Sequence, residues 1–147
     1  MAENVTPVVL KVKDFAPREV LLVNYKFNQA TDQEGQVAGI VRGGQILIRV
    51  KALNDGNPEL LAWMIDPAAP HDLEIEFENT KDGSAMKTLK GTACYCTHYK
   101  EYWADGEEHY EEILLSCQKL ENGPVGYETP WKYSLSSSHL VSAPIRG

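Results

Sequence analysis

The sequence has 147 residues, the length of one domain and too short for two ordinary ones. Hydrophobic residues make up 43% and charged residues 24%, which excludes global disorder, collagen and coiled coil. Fourteen basic against 21 acidic residues leave a net charge of −7, a field that repels a phosphate backbone, so no nucleic acid is expected as a partner.

The eight prolines and eleven glycines point to strands and turns rather than a helical bundle. Met1 to Phe15 lacks the charged start and apolar core of a signal peptide; its longest apolar run is Val8-Val9-Leu10. No stretch reaches the ~18 apolar residues of a membrane helix, so no membrane insertion is expected. Cys94, Cys96 and Cys117 are too few, and odd in number, for a disulfide framework. Free thiols and folding in the cytoplasm are the expectation.

Alternation with a period of two marks the strands. Val8, Leu10 and Val12 alternate with Val9, Lys11 and Lys13. Over Glu19 to Asn28, Leu21, Val23, Tyr25 and Phe27 fall on one face. Over Gln45 to Leu53, Ile46, Ile48, Val50 and Ala52 share a side. His71 to Glu78 is the cleanest, with Leu73, Ile75 and Phe77 opposite Asp72, Glu74, Glu76 and Glu78. Met86 to Glu101 is a long strand with a bend or bulge expected at Gly91. Tyr110 to Lys119 puts Ile113, Leu115 and Cys117 on one face.

One segment predicts a helix. Asn57 can cap it, Pro58 suits its first position, and Pro67 stops it. Leu60, Leu61, Trp63 and Met64 form its apolar stripe, and so short a helix persists only if docked on the sheet. Leu60, Trp63 and Met64 are the expected docking residues. Asn79 to Ser84 and Trp103 to Gly106 read as hairpin turns. Gln29 to Gly44 spans about 16 residues without periodicity, too long for a hairpin and too rich in glycine to be a strand throughout, a length that is usually functional or disordered. The whole predicts a mainly β chain: an antiparallel β-barrel with one short α-helix and a long extended loop, a single domain over residues 1–131, and a Ser-rich C-terminal tail over 132–147.

No catalytic signature occurs: G-x-S-x-G, H-E-x-x-H, Walker A and dinucleotide motifs are all missing, so no catalytic residue, cofactor or enzyme activity is expected. Cys94, Cys96 and His98 would share one face of a straight strand. The first and last then stand about 13 Å apart, too far for one zinc, so no metal is expected either. The acidic alternation of Asp72 to Glu78 reads as a solvated sheet face, paired with lysines such as Lys87 or Lys90. Glu107, Glu108, Glu111 and Glu112 read the same way. A rigid scaffold with a glycine-bearing loop and no chemistry suits a protein that works by assembling; the alternative is a monomeric small-molecule-binding barrel.

Several runs, in order, carry a resemblance. They are Val23 to Asp32, then Gly35, then Val41-Arg42-Gly43-Gly44-Gln45-Ile46, the helix Glu59 to Ile65 with its Trp-Met ending, and Ala93 to Glu101 ending in Tyr-Lys-Glu. Together the sequence resembles the Hcp/TssD tube proteins of type VI secretion systems, in their Bacteroidetes version. The resemblance implies a β-barrel subunit of the inner tube. Six copies would form a homohexameric ring, and stacked rings would deliver effectors. It implies a contractile sheath, a spike protein and effector cargo as partners. It also implies a cytoplasmic stage during assembly, then secretion through the type VI system without a signal peptide. The loop becomes an arm that contacts another subunit, with Thr31, Asp32, Gly35, Arg42, Gly43 and Gly44 as interface candidates. Arg42 would offer its fork to a carboxylate there.

Overall fold

The computed structural model describes residues 7–79, 81–82 and 85–131. The tail over 132–147 and part of the turn between Asn79 and Ser84 lie outside them. The described elements are β1 (Val8–Val12), β2 (Arg18–Tyr25), β3 (Gln45–Lys51), α1 (Glu59–Ile65), β4 (His71–Glu78), β5 (Ala85–Tyr102), β6 (Tyr110–Asn122) and β7 (Val125–Glu128).

The sheet runs β3-β2-β1-β4-β5-β6-β7, all antiparallel where paired, and β3 also pairs with β6. Six strands therefore close into a barrel. The edge of β6 serves two partners in turn: β3 covers Tyr110 to Ser116, and β7 covers Lys119 to Asn122. Closure removes the open edges that a flat sheet of these strands would expose.

A six-stranded barrel is narrow, and branched side chains fill it. Leu10, Ile46, Ile48, Ile75, Leu89, Ile113 and Leu115 have no exposed surface. Side chains thus occupy the barrel interior.

Alternation located most strands, and bulges account for the differences. Leu21 is an extra residue between the Val20–Val50 and Leu22–Arg49 pairs, so it lies 40% exposed while Val23 and Tyr25 turn toward the core. It does not share their face. In β5, Thr92 and Ala93 together oppose Asp72, one step beyond the expected bend at Gly91. Ala93 takes a φ of 50°, and the Asp72 carboxylate accepts its N–H at 2.9 Å. A second bulge at Thr97 turns His98 out to the exposed side, away from buried Cys94 and Cys96.

The helix begins one residue later than the sequence suggests: Pro58 is its N-cap, with no side-chain cap bond there, and Asn57 stands one position before the cap. Asn57 Oδ1 accepts the Glu59 N–H at 3.1 Å, and the Pro58 carbonyl accepts the Ala62 N–H at 2.9 Å. Glu59 also accepts the Ala16 N–H at 3.0 Å, tying the helix to the β1–β2 turn. Leu60 and Trp63 are buried, Met64 is half-buried against the core, and Leu61 and Ile65 are exposed. The Trp63 indole donates to the Cys94 carbonyl at 3.2 Å and meets Phe15 and His71 edge-on.

Candidate functional site

The segment between β2 and β3 is a hairpin arm, against the expectation that it is too long for a hairpin: a few widely spaced bridges are enough to pair its two limbs. Asn28 pairs with Arg42 through both backbone bonds, at 2.8 and 3.0 Å, and Thr31 pairs with Val37 in a second antiparallel bridge. Ala38 donates to the Ala30 carbonyl at 2.8 Å. At the tip, Asp32 Oδ1 accepts the N–H groups of Glu34 and Gln36, both at 2.9 Å, and Gly35 takes a φ of 86°. The arm is long because sparse bridges extend a hairpin whose alternation glycine and alanine erase.

Every residue from Lys26 to Ile40 is exposed, among them Phe27, Val37 and Ile40. Thr31, Asp32 and Gly35 therefore stand at the outer end of the arm. The Arg42 side chain is exposed and, among the described residues, has no ion-pair partner. Gly43 and Gly44 lie at the base and are engaged within the chain. A Cβ on Gly43 would fall 2.1 Å from the Phe27 ring, so that ring needs glycine beneath it. Gly44 takes a φ of 93° with the Thr129 hydroxyl over it, and its carbonyl accepts the Cys117 N–H at 2.7 Å. There the chain turns from arm into β3.

Beside the base, Tyr25, Phe27, Val41, Leu120, Val125 and Tyr127 line an open cleft of about 620 Å³. Phe27 packs on Tyr127 with centroids 5.0 Å apart, and the Tyr127 hydroxyl donates to the Val41 carbonyl at 3.1 Å. β7 thus braces the arm where it leaves the barrel.

The sheet exterior is charged in alternating rows. By register, Lys11 stands beside Glu74, Glu74 beside Lys90, and Lys90 beside Glu121. Lys11 reaches Glu76 at 3.0 Å, and that hydrogen bond raises its pKa. Lys87 instead opposes Phe77, with its ammonium over the ring. The acidic run at the other end is not all solvated. Glu112 pairs with Arg49 at 3.0 Å, whose guanidinium covers the Tyr110 ring. Glu111 is buried, ion-paired with buried Arg18, and accepts the Tyr99 hydroxyl at 2.6 Å. Burial, then the Glu111 carboxylate, pushes the Tyr99 pKa up. Nothing local announces this cluster: Arg18 opens β2 and lies 93 residues from its partner.

Among the described residues no group of three or more His, Cys, Asp or Glu could hold a metal, and no helix is long and apolar enough to cross a membrane.

The family model described as hemolysin coregulated protein Hcp (TssD) matches residues 6–132. The chain belongs to the Hcp (TssD) family. Hcp proteins are tube proteins of type VI secretion systems, a structural family. The structure of Hcp1 from Flavobacterium johnsoniae is similar with 28% identity and a TM-score of 0.77, over 84% of this chain and 99% of that one. Hcp1 from Salmonella typhimurium shares the fold at 14% identity and a TM-score of 0.66, over 83% of this chain and 93% of that one. The secreted protein Hcp3 from Pseudomonas aeruginosa does so at 12% and 0.60, over 87% and 99%. No curated protein matches by sequence.

Proposed function

We propose that this chain builds the inner tube of a type VI secretion system: six copies close a ring, and rings stack into a conduit for effectors. The observation that carries the proposal is the arm, ordered by its own hydrogen bonds yet burying none of the side chains from Lys26 to Ile40. A segment so built leaves its apolar residues for another surface. Ring closure needs head-to-tail contacts between two different patches of the subunit, and a projecting arm supplies one. Thr31, Asp32 and Gly35 shape its contacting end, and Arg42 pairs with a carboxylate of another copy. Gly43 and Gly44 act from the base by setting its direction.

Family membership supports the sheath, the spike and the cargo as the partners of that tube. It also supports a cytoplasmic stage before export through the assembled machine. The test is mass and shape together. Light scattering of the purified chain should give roughly 100 kDa for a closed hexamer of 16.4 kDa subunits. Negative-stain images of that fraction should show rings. A chain that stays at the subunit mass across concentration, salt and pH overturns the proposal.

A further inference from the structure

We propose that Cys94 and Cys117 form a latent cross-strand disulfide site, closed by a small disulfide oxidant such as oxidised glutathione. The two residues oppose one another directly in the β5–β6 ladder. Cys117 gives its N–H to the Gly44 carbonyl and accepts the Thr129 hydroxyl, both at 2.7 Å, so its backbone polar groups point away from β5. The Cys94 carbonyl likewise turns to the Trp63 indole. This is the narrow, non-hydrogen-bonded kind of antiparallel pair, with Cα atoms about 4.5 Å apart. A disulfide spans ~4.4–6.8 Å between Cα atoms.

The side chains point to the same interior, and their sulfurs lie 2.8 Å apart. Gly91 keeps the space open: a Cβ there would sit 2.7 Å from one sulfur and 3.3 Å from the other. Cys96, also buried, directs its sulfur to the His98 carbonyl at 3.4 Å instead.

The step balances. One thiolate attacks the oxidant and releases one small thiol; the second thiolate attacks the mixed disulfide and releases the other. The two cysteines lose two hydrogens in total, and the oxidant is reduced to two thiols. In the closed barrel neither sulfur is exposed, and the hydrogen bond between them, with burial, keeps Cys94 protonated. Reaction therefore waits for β5 and β6 to part. The site stays reduced in a folded chain and closes when the chain folds or breathes in an oxidising medium. Its use outside the cell rests on the export proposed above, whereas its formation does not, so the two fail separately.

The test refolds the full chain across a series of reduced-to-oxidised glutathione ratios, followed by denaturing alkylation and peptide mass mapping. At the oxidising end a single alkylated residue, Cys96, and a linked Cys94–Cys117 peptide pair are expected. Cys96→Ser should then leave no alkylatable thiol, and the β-sheet circular dichroism should match that of the reduced chain. The folded chain should react at least about a hundredfold more slowly than the refolding one. Three free thiols at every ratio, or a Cys94–Cys96 or intermolecular bond in place of the cross-strand one, overturn the proposal.

Discussion

In the barrel, Leu10, Ile46, Ile75, Leu89 and Ile113 have no exposed surface, and each strand is paired on both sides along part of its length. Along the arm, two isolated bridges and one capped turn hold the backbone, and no side chain from Lys26 to Ile40 is buried. The barrel is stabilised by apolar burial, a term that grows with every methylene removed from water. The arm rests mainly on local hydrogen bonds, each worth about 1 kcal/mol net, with Tyr127 of β7 bracing its base. One chain thus carries a part that is complete in itself and a part that is ordered but unfinished. The lesson is that stability and assembly reside in separate residues, so they should be separable by mutation.

The sharpest break should come from the barrel side. Trp63→Ala is expected to cost about 3–5 kcal/mol, because it empties the contact between α1 and β5. Glu111→Ala should cost a similar ~3–5 kcal/mol by stranding buried Arg18, whereas Glu112→Ala should cost less, about 1–2 kcal/mol, at its partly buried pair. Urea unfolding midpoints of the three variants check the order. Equal losses for Glu111 and Glu112 would show that the buried pair is solvated.

At the junction of the two parts, Gly44→Ala forces a side chain into a left-handed backbone beneath Thr129, at a cost of about 1–3 kcal/mol. Gly35→Ala meets a similar φ at the open tip and should cost only the backbone part, about 1 kcal/mol. Thermal melts of the pair separate crowding from conformation.

An alkaline titration probes the barrel alone. Burial pushes the Cys96 thiol up to about 11, and Cys94 is raised as well. Unfolded thiols ionise near their ordinary ~8.5, so above that pH the unfolded chain binds fewer protons than the folded one. Stability should be full below about pH 8.5 and fall as the pH rises further. Cys96→Ser should flatten the slope measured by urea unfolding at pH 7 and pH 10; an unchanged slope would exclude Cys96 as a source.

Much of this division was legible in the sequence. His71 to Glu78 alternates without a fault, and β4 has those bounds. The helix was marked by Asn57, Pro58 and its apolar stripe, although the cap falls on Pro58 and not on Asn57. What was hidden depends on distant partners or on a single extra residue. Glu111 sits in an acidic run that reads as solvated, and only the fold brings Arg18 to it. The bulges at Leu21 and Thr97 shift the alternation by one, which period-two reading cannot detect from within the strand. β7 is four residues, Val-Gly-Tyr-Glu, too short for a period. The hairpin pairing of the arm escaped because its bridges join exposed residues that carry no hydrophobic pattern.

The smallest effect on stability should come from Arg42→Glu, within about 0.5 kcal/mol for an exposed side chain that has no ion-pair partner among the described residues. Its particle mass should nonetheless fall, since the reversed charge would meet the carboxylate that Arg42 is proposed to pair with. A lowered melting point with unchanged mass would reverse the comparison.

The most direct measurement is the mass, by light scattering, of the chain lacking residues Asp32 to Ala38, taken beside the parent and with circular dichroism of both. The same β spectrum and a mass below that of the parent are expected. A folded deletion variant with the parent's full mass would contradict the assignment of assembly to the arm.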